Sequence, residues 1–326
     1  MRIEAERLMS SRPSKLSRLF LWAPFVLAAL LVVAYYVVWR EGAQTMRRAV
    51  DAWAEDQRAA GLTVSYDKVS ASGFPFFLRG AAANAVIGDA RRWRWSAERL
   101  NIDTLPYALD RLVFSATNPQ TLDLGAHGVW SLRSDNGRAS IENDDSRDWL
   151  VNVESGSGSI ERADGVASLS AEKFLLSVAP DTNDRRRIQA SLIVDKFSTA
   201  LSEGVIDAPR IEAFVEISQT AAGPALDFRR IIVDAEGAQI LLTGNIRVDE
   251  AGYPEGVLEA DIANPSGLAL LLQKLGALSP QEAEQASAAL TLAAIAGGGR
   301  IRGPVALKNG EARIAGVKIA DLPRID

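Results

Sequence analysis

The sequence predicts a mostly β protein with a helical block, an α+β fold in which one apolar helix precedes a large antiparallel β-sheet. Three observations lead to this fold: an uncharged apolar run near the N-terminus, repeated alternation of apolar and polar residues, and an Ala- and Leu-rich helical segment near the C-terminus. Alternation with a period of two is typical of antiparallel strands that have one buried and one solvated face. We therefore expect one face of the sheet to be apolar.

The apolar run covers residues 19–39 and contains no charged side chain. As a helix it would be roughly 31 Å long, which matches the ~30 Å hydrocarbon core of a bilayer. A cleaved signal peptide usually has a shorter apolar region that is followed by small residues, whereas the segment from Tyr35 to Trp39 is bulky. The sequence therefore predicts an uncleaved transmembrane helix at residues 19–39.

Positive charge predicts the orientation of this helix. Residues 1–18 form a basic tail, while the other flank carries a weaker cluster of Arg40, Arg47 and Arg48. The positive-inside rule places the more basic flank in the cytoplasm. We therefore expect a cytoplasmic N-terminus, with everything after the helix exported.

Residues 40–61 repeat apolar side chains at spacings of three and four and end at a glycine. This pattern is typical of an amphipathic helix with a glycine C-cap. Such a juxtamembrane helix would either lift the exported domain off the bilayer or pack on its sheet, and the sequence leaves both open. The β-rich domain is then expected at residues 62–326.

The clearest strands lie at residues 211–218, 240–249 and 258–262, where apolar and polar residues alternate. Asn309-Gly310 predicts a two-residue hairpin, because both turn positions need a positive φ that Asn and Gly tolerate. Asp135-Asn136-Gly137 indicates a further turn between two short strand-like runs. These signals are typical of a meandering sheet.

A helical hairpin is expected at about residues 265–296. Asn264 precedes Pro265, an arrangement that suits an N-cap followed by proline at the first helical position. Ser279 and Glu282 have the spacing of a capping box. We expect this Ala-rich hairpin to pack its apolar side on the sheet.

The composition restricts the possible functions. The net charge of −5 argues against a basic nucleic-acid binder, and the absence of Cys excludes disulfides and thiolate metal sites. His127 is the one histidine, so acid–base catalysis through it lacks an identifiable partner. The acidic group Glu142, Asp144 and Asp145 lacks the residue order of a calcium loop. We therefore expect no enzyme, no cofactor, no metal and no nucleic-acid partner.

The stretch Arg91 to Trp95 alternates arginine with tryptophan. Such residues can hold anionic lipid headgroups. A strand edge with extended arginines and core tryptophans is the structural alternative, and the sequence does not separate the two.

Several short motifs occur together in this chain: SGFPFFLRG at residues 72–80 after the anchor and a Trp-containing helix, LTGNIRVD at 242–249, Asn264-Pro265, and a closing Asn309-Gly310 strand pair that ends in Leu322-Pro323. With them the chain resembles the bacterial family called domain of unknown function 2125, over most of the exported part. The resemblance implies a protein of the bacterial inner membrane whose main domain is periplasmic. The family supplies no catalytic residues.

More distantly, the anchor, the Phe-Pro strand and the Leu-x-Gly-x-Ile-x-Val strand are similar to AsmA-like proteins, which are associated with long β-grooves that hold lipid. This similarity implies that the sheet is curved or grooved. The first function hypothesis is therefore an anchored envelope protein that binds lipid or another apolar ligand. An assembly or scaffold protein that binds other envelope proteins ranks second, and a carboxylate-dependent hydrolase ranks third.

The lipid hypothesis predicts an apolar groove between the sheet and the helices at residues 265–296. Phe74, Phe76 and Phe77 are the candidate ligand-binding residues near one end of this groove. A closed core is the alternative, because two-layer packing of helices on a sheet is the commoner outcome.

Reporter fusions test the predicted topology. A reporter fused before Arg18 should read as cytoplasmic and one fused after Arg40 as exported, because positive charge is concentrated in the N-terminal tail. A cytoplasmic reading for a fusion at Gly61 would contradict the orientation. A mature N-terminus after Ala34 in mass spectrometry would contradict the uncleaved anchor.

Overall fold

The computed structural model of the chain describes residues 15–89, 92–105, 108–143, 148–201, 204–220, 223–249, 251–314, 317–322 and 324. Most of the predicted basic tail therefore lies outside the described residues, as do the candidates Arg91, Asp144 and Asp145.

Three α-helices and twenty strands are found in the described part of the chain. The helices are α1 (Lys15–Ala59), α2 (Pro265–Lys274) and α3 (Pro280–Ala296). The strands are β1 (Thr63–Ser65), β2 (Val69–Ser72), β3 (Leu78–Asp89), β4 (Trp93–Leu105), β5 (Ala108–Ala116), β6 (Gln120–Asp123), β7 (Val129–Ser134), β8 (Arg138–Glu142), β9 (Leu150–Ser155), β10 (Gly158–Arg162), β11 (Ser168–Ala171), β12 (Lys173–Pro180), β13 (Arg187–Leu201), β14 (Gly204–Thr220), β15 (Gly223–Ala235), β16 (Ala238–Val248), β17 (Pro254–Ala263), β18 (Arg300–Lys308), β19 (Glu311–Ile314) and β20 (Val317–Asp321).

The strands form one antiparallel sheet, which confirms the predicted fold class. From β13 to β20 each strand pairs with the next one along the chain, so this half is a simple meander. The strands predicted at residues 211–218, 240–249 and 258–262 lie in β14, β16 and β17. Their apolar residues share one face because side chains alternate along a strand.

The middle of the sheet consists of long strands that are each broken once. The unbroken β4 pairs with both β5 and β6, and β13 pairs with both β12 and β11. Between them run two rows of short strands, β5-β8-β9-β12 and β6-β7-β10-β11. The four breaks therefore lie side by side in a line across the sheet.

The turn predicted at Asp135-Asn136-Gly137 lies in this line of breaks. Its flanking strands, β7 and β8, pair with different neighbours instead of with each other. Asn136 has a φ of 55°, a conformation that asparagine tolerates in bulges as well as in reversals. The chain therefore kinks here and continues in the same direction.

α1 is one continuous helix that contains both the predicted transmembrane segment at 19–39 and most of the predicted juxtamembrane helix at 40–61. By its length and composition it is able to cross a membrane, and residues 24–38 are exposed. Its second half contacts β1, β2 and β3, and Ala43 and Ala54 are buried there. Packing on the sheet is thus the observed one of the two alternatives.

α1 and β3 run in the same direction. A Cβ on Gly42 would lie 3.7 Å from Leu78 Cδ2, at the start of β3. Further along the helix, Arg58 Nε donates to Val64 O at 2.8 Å, and Val64 is opposite Ile87 near the end of β3. The strand ends at the level of the start of β3 are therefore the part of the sheet nearest the apolar part of α1.

The helical hairpin lies further along the same sheet, where α2 contacts β14, β15 and β16 and α3 contacts β18. Leu268 and Leu271 of α2 are buried in a core with Ile240 and Ile262 of the sheet. The predicted capping box of α3 is confirmed by reciprocal bonds between residues 279 and 282.

Asn264 stands at the predicted N-cap position of α2 but makes no side-chain capping bond. It instead donates from Nδ2 to Gly237 O at 2.9 Å. Asn264 therefore joins α2 to the turn between β15 and β16.

The Asn309-Gly310 hairpin is confirmed, since Lys308 pairs with Glu311 and both turn residues have positive φ. Gly310→Val should lower the free energy of unfolding by about 1–3 kcal/mol, because a β-branched residue is strained at positive φ. The Tyr253 ring would also lie 3.2 Å from a Cβ at this position.

Chemical denaturation of the full chain in detergent measures this change. Gly303→Val is the matched control, because Gly303 lies in β18, where a Cβ added to the glycine would meet no neighbouring atom within 4 Å. Equal unfolding midpoints for the two variants would contradict the assigned turn.

Candidate ligand-binding site

One face of the sheet is apolar across successive strands. Phe114, Ala139, Val153, Leu176 and Leu192 stand directly opposite one another from β5 through β8, β9 and β12 to β13. Cross-strand neighbours lie on the same side of a sheet. These side chains therefore form a continuous apolar row.

Helices are packed on this face on both sides of the apolar row. α1 lies on β1, β2 and β3, and α2 lies on β14, β15 and β16. The apolar face of the strands between these two covered regions borders a cavity.

The cavity has a volume of about 460 Å³ and is open on one side. This volume lies within the ~300–1,000 Å³ that is usual for small-molecule sites. Its lining comes from strands β4 to β13, and mostly apolar atoms face it. Six large apolar side chains in the lining are Phe114, Leu132, Ile160, Leu169, Phe174 and Phe197.

The cavity lies along the line of strand breaks, because Ser134, Gly137, Ser155 and Gly156 at the breaks also line it. A break leaves backbone groups without ladder partners, and these must be satisfied in another way. The kinks of neighbouring strands lie at the same level, so the sheet bends along this line. The bend and the cavity are therefore one structural feature.

Polar side chains and backbone bonds hold the broken strands together. Asn118 Nδ2 donates to Ser134 O at 2.8 Å, and Ser134 N donates back to Asn118 Oδ1 at 3.1 Å. In the next break, Asp135 N donates to Ser157 O at 2.7 Å. These bonds supply the partners that the interrupted ladder lacks.

The last break is closed by an ion pair. Lys196 Nζ lies 2.6 Å from Glu172 Oε2, and Glu172 N donates to Asp195 O at 3.0 Å. Lys196 has a φ of 50°, and the pairing of β13 with β14 skips it, between the Asp195–Arg210 and Phe197–Ala208 pairs. The irregularity of the broken strands therefore continues into β13.

The opposite face of the sheet carries paired charges. Glu212 accepts from Arg210 and Arg230 at 2.6 and 2.7 Å. The hydrogen bond from Arg210, together with the charge of Arg230, holds the pKa of the Glu212 carboxyl below its usual value. This face therefore carries charged, solvated side chains, whereas the cavity lies on the apolar face.

A second carboxylate on this face has the same environment. Asp261 Oδ1 accepts from Arg300 Nε at 2.6 Å, and Oδ2 accepts from Arg302 Nε at 3.1 Å. These bonds, with that of Arg300 the strongest, lower the pKa of the Asp261 carboxyl.

The predicted ligand-binding residues Phe74, Phe76 and Phe77 lie in the turn between β2 and β3. None of the three is among the described residues that line the cavity. Instead the Phe74 ring packs against Tyr36 and Trp39 of α1, at centroid distances of 5.4 and 5.8 Å. Their part in ligand binding stays a prediction.

The groove was expected between the sheet and the helices at 265–296, but Leu268 and Leu271 are packed into a core there. The cavity lies instead on the part of the sheet between α1 and α2. The lining residues Leu132, Ile160 and Leu169 were missed because each lies in a strand of only four to six residues. Their short alternating runs beside Gly- and Ser-rich breaks are the signal that identifies them.

The remaining candidates have structural partners. The carbonyl of His127 accepts from Trp130 Nε1 at 3.1 Å, and Glu142 lies 3.9 Å from Arg111. Trp95, from the arginine–tryptophan stretch, lines the cavity and donates to Gln120. Within the described ranges, no three His, Asp or Glu side chains are close enough to hold a metal ion.

Residues 39–323 match the model of a protein family described as "Uncharacterized protein conserved in bacteria (DUF2125)". No curated protein and no solved structure matches the chain. The more distant similarity to AsmA-like proteins stays a prediction.

The ion pairs on the outer face, which is the face of the sheet opposite the cavity, predict a loss of stability in acid. A carboxylate whose folded pKa is depressed stabilises the fold above its unfolded pKa of about 3.9, and this contribution disappears as the pH falls through the folded pKa. Asp261→Asn and Arg300→Gln should therefore both flatten the decrease in unfolding midpoint below about pH 4. Urea denaturation in detergent at a series of pH values measures it. A pH dependence equal to that of the wild type in both variants would contradict this role.

Proposed function

We propose, given that the chain belongs to the uncharacterised bacterial family DUF2125, that it is a single-pass inner-membrane protein whose periplasmic β-domain binds lipid. The ligand class is an acyl chain or an apolar molecule of similar width. The observation that carries the proposal is the open apolar cavity between the two helix-covered parts of the sheet.

The physical reason is the unfavourable contact of this surface with water. Burying apolar surface contributes about 25 cal/mol per Å², or about 0.8 kcal/mol for each methylene. An acyl chain fits this requirement because it is apolar along its length and needs no hydrogen-bond partners. The large side chains of the lining, such as Phe114 and Phe174, offer such a chain aromatic surface.

The position of α1 also supports a lipid ligand. The start of β3 lies nearest the apolar part of α1. Leu112 is at this level, because the next residue, Val113, is opposite Asp103 of β4, and Asp103 is opposite Arg79 of β3. Leu112 pairs with Ile141, and Ile141 pairs with Val151. With α1 in a bilayer, this apolar row joins the cavity to the end of the sheet that faces the lipid.

Binding of a fluorescent fatty acid to the full chain in detergent tests the proposal. The wild type should bind the probe saturably and retain co-purified lipid that mass spectrometry detects. Ile160→Asp should weaken binding at least tenfold, because it brings a charge into an apolar site, and tenfold corresponds to about 1.4 kcal/mol. Ile160 is 37% exposed, so the carboxylate can remain hydrated without unfolding the domain.

Val205→Asp is the matched control. Val205 is 48% exposed and stands next to the buried Ile206, so its side chain points to the opposite face. Saturable binding that Ile160→Asp weakens and Val205→Asp does not, at equal unfolding midpoints, supports the site. An absence of saturable binding, or equal binding by all three proteins, would overturn lipid binding and favour the scaffold function.

A further inference from the structure

The turn between β2 and β3 is a short, closed structure. It contains Phe74, Pro75, Phe76 and Phe77 between the ends of the two strands. Phe77 N donates to Gly73 O at 2.9 Å and closes the turn.

Two hydrogen bonds fix this turn to α1. Tyr35 Oη donates to Pro75 O at 2.5 Å, and Trp39 Nε1 donates to Phe77 O at 2.8 Å. Both donors are side chains of the helix and both acceptors are backbone carbonyls of the turn. The position of the turn along the helix is therefore set by residues 35 to 39.

Ring packing strengthens the same contact. Phe74 has its centroid 5.9 Å from that of Tyr35, 5.4 Å from that of Tyr36 and 5.8 Å from that of Trp39. Aromatic pairs at such separations stabilise a contact beyond the burial of their apolar area. Phe74 thus fixes the turn against α1.

Phe76 is 72% exposed and Phe77 is 51% exposed. Single exposed apolar residues are normal, but adjacent ones beside an exposed apolar helix form a patch. Transfer of a phenylalanine side chain from water to an apolar environment is favourable. An apolar environment therefore stabilises this patch relative to water.

The level of the turn on α1 identifies that surrounding. Tyr35, Tyr36 and Trp39 end the apolar run, and Arg40 follows as its first charged residue. Tyrosine and tryptophan prefer the interface between headgroups and hydrocarbon. Pro75 is hydrogen-bonded to Tyr35. Along the helix, Tyr35 lies about 6 Å nearer the bilayer centre than Trp39, at a rise of ~1.5 Å per residue.

We infer that Phe76 and Phe77 insert into the bilayer interface beside α1, as a second membrane contact of the domain. The partner is the lipid bilayer itself. This inference rests on the membrane anchor of the proposed function, but it does not depend on ligand binding in the cavity. A second contact restricts the tilt of the packed unit of α1 and the sheet relative to the bilayer, and thereby the direction in which the apolar face opens.

Single cysteine variants test the inference directly, because the chain contains no native cysteine. Phe76→Cys in the full chain is labelled with an environment-sensitive fluorophore and reconstituted into phosphatidylethanolamine–phosphatidylglycerol vesicles. Nitroxide groups placed near the headgroups of added lipids report lipid contact, and iodide reports water contact. Phe77→Cys is a second variant at the same site.

Two reference variants calibrate the response. Val32→Cys lies in the exposed apolar part of α1, and Val166→Cys lies in the turn between β10 and β11, where it is 51% exposed. The label at residue 76 should be quenched by the lipid nitroxides and protected from iodide several-fold relative to residue 166. Equal unfolding midpoints of the variants show that the fold is retained.

The outcomes separate the inference from its premise. If the lipid nitroxides quench the label at residue 32, but the labels at residues 76 and 77 respond like the label at residue 166, the inserted turn is overturned and the anchor stays intact. An absence of lipid quenching at residue 32 would overturn the anchor and the inserted turn together. Loss of fatty-acid binding in the cavity leaves quenching at residue 76 unchanged.

Discussion

The apolar face of one long antiparallel sheet is the constraint on which this structure depends. Apolar residues of successive strands meet on that face, because side chains alternate along a strand and the ladders keep neighbours in register. A stable domain must cover such a face. Two helices cover parts of it: α1 packs on the first strands, and α2 packs on the strands around Ile240. Between these two covered regions, the sheet reduces its own exposure by bending.

The bend depends on polar chemistry placed inside an apolar region. Residues such as Asn118, Asp135 and Glu172 supply hydrogen bonds or ion pairs where the backbone ladder stops. Without these partners, each break would leave unsatisfied backbone groups next to apolar side chains, which is unfavourable. The ionised outer face, with pairs such as Arg230–Glu212, keeps the other side of the sheet in water. The asymmetry of the two faces therefore decides which side of the bend becomes the cavity.

Much of the fold could be predicted from local patterns. The alternation at residues 211–218, the Asn309-Gly310 turn and the capping box at Ser279 each need only neighbouring residues, and each is confirmed. The position of the cavity could not be predicted, because a turn signal does not distinguish a reversal of the chain from a kink. Asn136 suits both. The contact of Trp39 with Phe77 joins residues 38 positions apart, and no local pattern reports it. Asn264 shows the same limit, since its bond to Gly237 replaces the expected cap.

The uninterrupted course of α1 connects these features. A helix that crossed the membrane and ended there would leave the domain free to rotate on a linker, and its apolar face would have no fixed relation to the bilayer. Here the same helix continues along β3, with Ala54 fully buried in the contact. The helix axis and the first strands therefore form one packed unit, and the orientation of the helix determines that of the sheet. The broken strands are paired with β4, and β4 is paired with β3, on which α1 packs. The position of the cavity relative to the helix is therefore set by backbone pairing together with this packing. The apolar part of α1 therefore has a fixed orientation relative to the face of the sheet that borders the cavity.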